Sequence, residues 1–478
     1  MKSPHTDRIA SFVAESRTED IPSDMLHVGK RLILDTLGNA VAGFSTPASR
    51  RAIKTIQMLG GTPSSTIFMT GHRTAPPQAV FANVTMAATL EADDTCRYIG
   101  HHGQSSILPA LALGEQRGLS GAAFLTASLL AYEASARIAS ACRHIVKAED
   151  GSLLTNPSGG GVNWSIFAAT FSASRAIALD LHQTKMAMGI AGFNASIPTA
   201  ARYNRPNYSN LKYNPYAFLA QNGTLAALLV ENGFTGDDAI LDNDPDAVCQ
   251  DWWKMAGIIG SDPEGAFASL GSDWFTRQTS FKPYPGCRFG QGAVGLFEQI
   301  IAEHDLKSDE IEHIDVYTDA TIFHYRMDDP TVLTEEDAQF SIPHIMALTA
   351  MRVRPGPAWV SPRYWNDPQT ESLKAKVSCH VYDKGNEATL EQLLAGRWER
   401  YPHRVVVQAR GKTFERQADY IFGDPHSPET TMSDERLIAK FRDFTEQGLP
   451  KSQAERCIEL VMSLETLETL APLIDCLH

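Results

Sequence analysis

The chain has 478 residues, 43% hydrophobic and 21% charged, enough for a large core divided over about two to four domains. Lys and Arg number 42 against 56 Asp and Glu, and a net charge of −14 argues against nucleic-acid binding through a basic surface. No run of about 18 uncharged apolar residues occurs, which argues against a membrane span.

The opening residues carry Asp7 and Glu15 ahead of any long apolar run, unlike a secretory leader. The seven cysteines are scattered and never form CxxC, so a cytoplasmic, reducing location is expected. Ser23 opens the first helical pattern as an expected N-cap, with Leu26, Ile33, Leu37, Val41 and Phe44 at helical spacing. Further helices are expected over 48–59, 76–91, 105–117, 120–141, 164–178, 183–197 and 215–232. Several are rich in Ala, Gly and Ser, as helices packed closely on helices are. Nothing in this half alternates like a strand.

The texture changes near residue 275. Residues 312–317 and 376–382 alternate polar and apolar, and 404–408 is a β-branched run turning at Gly411-Lys412 into 413–419. Helical patterns over 289–303 and 340–352 lie between them, and from Ser433 the helical period returns to the end. The expected fold class is α+β: a large all-helical domain (1–275 and 426–478) with an inserted smaller α+β lid domain (276–425).

Five features carry chemistry. Glu91, Asp93, Asp94, Thr95, His101 and His102 crowd a loop between helices, where histidine beside acids suits proton transfer; equally, the aspartates could cap the helix that follows. These residues lack a standard metal-ligand spacing, so no metal is expected. Gly159-Gly160-Gly161 is a flexible turn or a close approach to ligand rather than a P-loop. Lys212 precedes a small-residue helix, a place where a lysine is more often solvated surface than a ligand for substrate. A rigid proline turn presents Lys282, Tyr284 and Arg288 together; a structural hinge between domains explains it equally well. His344 begins an apolar helix, a place more typical of a core histidine than of a catalyst. Together these suit a pocket for a polycarboxylate, with Lys212, Lys282 and Arg288 meeting carboxylates and His102 or His344 carrying a proton.

The segments LILDTLGNAVAG, LEADDT, the His seven residues before Pro109, Lys212, GTLAALLVENGFTG, KPYPGC and AQFSIPH, in this order, resemble the MmgE/PrpD family nearly end to end. That family includes 2-methylcitrate dehydratases and cis-aconitate decarboxylases. The resemblance implies a helical domain with an α+β lid, a homodimer, and chemistry without a cofactor. It makes Glu91 or Asp93 the active-site acid, Thr95 its hydroxyl, His102 its first histidine, and Lys212 and Lys282 its lysines. The chain departs from the family at Gly159 and Gln291, where histidines are expected, and at His344, where a tyrosine is. The leading expectation is a lyase dehydrating 2-methylcitrate or an alkylcitrate. Its rivals are decarboxylation of a cis-aconitate-like acid, epimerisation, and binding without catalysis.

Overall fold

The computed structural model describes residues 5–97, 100–143, 145–148, 150–155, 164–195, 209–212, 214–243, 251–258 and 260–478. Among the described residues, nine helices of three turns or more organise the first half: α1 (His5–Glu15), α2 (Ser23–Gly43), α3 (Pro47–Leu59), α4 (Pro76–Ala88), α5 (Gly103–Arg117), α6 (Gly121–Ala141), α7 (Trp164–Ala176), α8 (Leu181–Phe193) and α9 (Asn214–Glu231). Local chemistry sets several of their starts. The Thr46 and Ser120 hydroxyls accept the Ser49 and Ala123 amides at the heads of α3 and α6, and Pro47 takes the first turn of α3. Ser23 does not cap α2; it already lies in the first turn, after Pro22.

Helices α4 to α7 are buried almost all round, because alanine, serine and glycine let them approach closely. A Cβ on Gly223 of α9 would run into the Ile166 carbonyl of α7, so that crossing requires glycine. Inside α6, Arg137 pairs with Glu133 at 2.7 Å, and Glu133 also accepts the Phe275 and Thr276 amides. This pair ties α6 to the segment that leads out of the helical half.

Short ladders interrupt the helices where no strand is expected from the sequence. Residues 65–66 pair with 73–74, 145–147 with 153–155, and 95–96 with 279–280. Each strand has two or three residues, too few for an alternation to register.

The second half is mixed. Strands β1 (Ile311–Thr318), β2 (Val377–Val381), β3 (His403–Ala409) and β4 (Lys412–Ala418) form one sheet in the order β4-β3-β1-β2. The β1–β2 pair is parallel; β1–β3 and β3–β4 are antiparallel. Helix α10 (Arg288–His304) packs on β3 and β4, and α11 (Ile342–Ala350) packs on α10. The helical pattern over 340–352 proves to be the C-terminal end of one short helix, Glu335–Phe340, followed by α11. Pro343 in the first turn of α11 forbids continuity. Helices α12 (Asp434–Thr445) and α13 (Lys451–Met462) then return to pack on α2. The fold is mixed α+β. One apolar core joins members between Ile9 and Phe281 to members between Met432 and Leu477; a second joins members between Tyr284 and Ala409. Among the described residues no helix is long and apolar enough to cross a membrane.

A buried ion pair fastens the returning helix to the first half. Lys440 of α12 donates to Asp35 of α2 at 2.7 Å and to the Ala92 carbonyl at 2.6 Å. Stranding one buried charge by deleting its partner costs about 3–5 kcal/mol. Lys440→Ala is therefore expected to lower the melting temperature by several degrees, and Asp35→Asn in the same chain to restore part of the loss. Unchanged melting in Lys440→Ala would contradict this role.

Candidate active site

Helix α4 ends at Ala88, short of the expected residue 91, and Glu91 takes a left-handed backbone at φ 53°. A residue with a side chain adopts that conformation at a cost, so the loop must be held from outside. Distant donors hold it. Gln339 Nε2 donates to the Thr89 carbonyl at 2.7 Å, and the Gly286 amide to the Leu90 carbonyl at 3.3 Å. Lys282 Nζ reaches the Glu91 carbonyl at 2.8 Å, while Lys440 and Asn39 share the Ala92 carbonyl. His101 Nδ1 donates to the Asp94 carbonyl at 2.7 Å.

The side chains of this loop form a buried ionic array. Lys212 Nζ bonds Glu91 Oε2, and Lys282 Nζ lies 3.2 Å from Glu91 Oε1 and 3.3 Å from Asp93 Oδ1. His101 completes it, 3.6 Å from Glu91 and 3.5 Å from Asp93. Phe340 places its ring 5.3 Å below the Lys212 ammonium. Burial alone would push the Glu91 carboxyl up, but the ammonium groups of Lys212 and Lys282 outweigh it and hold it well below the usual carboxylate range. Burial opposes the charge on Lys282, yet Glu91 and Asp93 raise its pKa. Burial lowers His101 against the pull of Asp93, and drives His102 down to about 3.

Asp94 has a different task. Its carboxylate accepts the His102 and Gly103 amides at the head of α5 and the Tyr132 hydroxyl at 2.7 Å. It is a helix cap, as the sequence allowed, and not a member of the lysine array. Burial, reinforced by Asp93, raises its pKa to about 7. His102 is fully buried, edge-on to Tyr132, with Nδ1 3.0 Å from Ser135 Oγ. Thr95 starts the short ladder to Ser280; its hydroxyl is buried without a hydrogen-bond partner among the described residues.

The structure thus gathers Glu91, Asp93, His101, Lys212 and Lys282, with Asp94, Thr95 and His102 beside them. It turns four expected residues elsewhere. The Tyr284 hydroxyl bonds Glu298 and its ring stacks on Trp359. Arg288 pairs with Asp424, so its positive charge is already met there. Gln291 spends its amide on the proline turn, bonding Tyr284 and Gly286. His344 lies in the second core with Nε2 on the Trp359 carbonyl; burial lowers its pKa to about 4, which does not suit a proton donor at neutral pH. Gly159 lies outside the described residues. Asn39, Tyr132, Ser135, Trp164, Gln339 and Lys440 are supporting residues that the sequence reading missed. The available signal was a polar side chain inside an otherwise apolar helix, as with Tyr132 and Ser135 in α6.

Two family models match the chain: the MmgE/PrpD N-terminal domain over residues 7–247 and the MmgE/PrpD C-terminal domain over 284–466. The chain is 22% identical to a cis-aconitate decarboxylase of Aspergillus terreus, over 100% of this chain and 96% of that protein. It is 26% identical to the cis-aconitate decarboxylase-like protein oryM of Aspergillus oryzae, over 62% of this chain and 61% of that protein. It is 24% identical to the cis-aconitate decarboxylase of Homo sapiens, over 97% of this chain and 92% of that protein.

The raised pKa of Asp94 sets a pH dependence. Because the folded value lies above the unfolded one of about 3.9, this group's contribution is complete below about pH 4 and is lost as pH rises through about 7. Asp94→Asn is expected to flatten the fall in stability between pH 4 and 8, seen in melting temperature against pH. An unchanged slope would contradict the assignment.

Proposed function

This chain belongs to the MmgE/PrpD family, and on that premise we propose that it is a lyase of citrate-like polycarboxylic acids. The first reaction proposed is dehydration of 2-methylcitrate or an alkylcitrate. The observation that carries this reading is a pair of charged, buried lysines beside imidazoles that burial keeps neutral.

Removing a proton next to a carboxylate builds negative charge on that carboxylate. Lys212 and Lys282 are preset to stabilise it in a site with little water to compete. Before substrate enters, Glu91 and Asp93 keep the two ammonium groups paired; substrate carboxylates then take over that pairing. A neutral imidazole is a base, and His102 is assigned the proton beside the carboxylate. The imidazolium so formed is a strong acid and returns the proton to the departing hydroxyl. One C–H and one C–O bond break, a C=C bond forms, and water leaves. The same reading treats residues 276–425 as a lid on the helical body, and the working unit as a homodimer.

A second reading is decarboxylation of a cis-aconitate-like acid, favoured by the names of the relatives that span nearly the whole chain. The lysines would keep their role, while the carbanion left by carbon dioxide would need a proton from an acid.

Proton NMR of the protein with 2-methylcitrate, citrate and cis-aconitate in deuterated buffer separates the two. A new vinyl signal from a hydroxy acid, without carbon dioxide, is expected. Carbon dioxide from cis-aconitate with no dehydration would replace the first reading by the second. Lys212→Ala and Lys282→Ala are each expected to lower kcat/KM by about 100-fold or more. Full activity in both variants would overturn the site.

A further inference from the structure

Two polar atoms beside this site are buried with no hydrogen-bond partner among the described residues: His102 Nε2 and the Trp164 indole Nε1. They converge on one point. A Cβ built on Gly100 would lie 2.7 Å from the first and 2.6 Å from the second, so the two nitrogens close on residue 100, which must be glycine, and they are near enough for one atom to meet both. Buried polar groups are nearly always paired, and each left alone costs about 1–3 kcal/mol. Two of them converging in this way call for a shared partner.

The hydrogens of His102 can be counted. Ser135 Oγ lies 3.0 Å from His102 Nδ1 and 3.0 Å from the Tyr132 carbonyl oxygen. A hydroxyl has one hydrogen to give, and a carbonyl can only accept. Both bonds form together only when Ser135 donates to the Tyr132 carbonyl and accepts from an Nδ1–H. Burial keeps the ring neutral, with its pKa near 3, so no second proton sits on Nε2 at neutral pH. Nε2 is therefore a lone pair, while the Trp164 nitrogen is a donor only. A carboxylate oxygen would be repelled by the lone pair, an ammonium would clash with the indole N–H, and a methyl would satisfy neither. A hydroxyl, which both gives and accepts, satisfies both.

We propose that Ser135 is a positioning residue that holds His102 as its Nδ1–H tautomer, and that His102 Nε2 and Trp164 Nε1–H together bind one hydroxyl group beside Gly100. On the lyase reading, on which this assignment of the occupant rests, the hydroxyl belongs to the substrate and is the group that departs; Nε2 leaves this bond to take the neighbouring C–H proton and then returns that proton to the same oxygen. The other source of the same chemistry is a bound water.

The test is nitrogen-15 NMR of the full chain labelled at histidine and tryptophan, with His102→Gln and Trp164→Phe to assign the signals. The His102 ring is expected as the Nδ1–H tautomer at pH 7. A proton on Nε2, or on both nitrogens, would overturn the proposal. Citrate and propane-1,2,3-tricarboxylate, which carry the same three carboxylates with and without a hydroxyl, then separate the sources. If citrate alone moves the His102 Nε2 and Trp164 Nε1 signals, the hydroxyl is the substrate's. If neither acid moves them while both bind, it is water's. If both acids move them alike, no hydroxyl is recognised and the binding half is overturned. Ser135→Ala is expected to give a mixture of tautomers and Ser135→Thr to restore one; a pure Nδ1–H form in Ser135→Ala would remove the positioning role. The tautomer is read without turnover, so a chain that converts none of these acids would fail the lyase reading and leave this result standing.

Discussion

Burying Glu91, Asp93, Lys212 and Lys282 together is the constraint on which the rest of this structure depends. Each of these side chains is at least nine-tenths buried, and an unpaired charge there would cost several kcal/mol. The array is stable only when opposite charges meet within hydrogen-bond reach, and those charges come from three separate stretches of chain. The acids follow α4, Lys212 precedes α9, and Lys282 stands where the chain passes from the first core to the second. Bringing them together fixes how the two cores meet. The backbone shows the same economy: donors from residues 39, 101, 282, 286, 339 and 440 hold the carbonyls of the acidic loop. A left-handed Glu91 is tolerable because the loop is fixed from several directions at once.

Much of the fold was legible because its helices are long and their buried faces are apolar. The strands over 311–318 and 403–409 were legible because their alternation and β-branching are strong. The two-residue ladders were not, since pairing at that length is decided by what lies across the gap. At the site, the acids and lysines stood out as charges set among apolar residues. Direction did not. In KPYPGCR the proline turn sends Lys282 to the acids, Tyr284 to Glu298 and Arg288 to Asp424, so neighbours in sequence end on different sides. Likewise His101 and His102 are adjacent, yet one faces the lysine array and the other faces Ser135. Only the turn of the chain into α5 separates them.

Paired lysines make an unusual receptor for a polyanion. In the proposed reaction Glu91 and Asp93 act as occupants of the site that substrate carboxylates replace, which keeps the ammonium groups ordered and their charges balanced beforehand. The cost is competition, because part of the attraction between lysine and substrate is spent on releasing the resident acids. Neutral imidazoles fit the same design. A cationic histidine beside two lysines would add repulsion, whereas a neutral ring becomes charged only as it takes a proton, when the substrate has become more negative.

This competition can be measured directly. Calorimetric titration with propane-1,2,3-tricarboxylate, which has no hydroxyl to lose, reads binding without turnover in the wild type and in Glu91→Gln. If Glu91 holds the place of a substrate carboxylate on Lys212 and Lys282, the variant binds tighter, by about tenfold for each 1.4 kcal/mol of competition removed. Equal or weaker binding in a folded Glu91→Gln would contradict the account, and would mean that these lysines do not receive the acid.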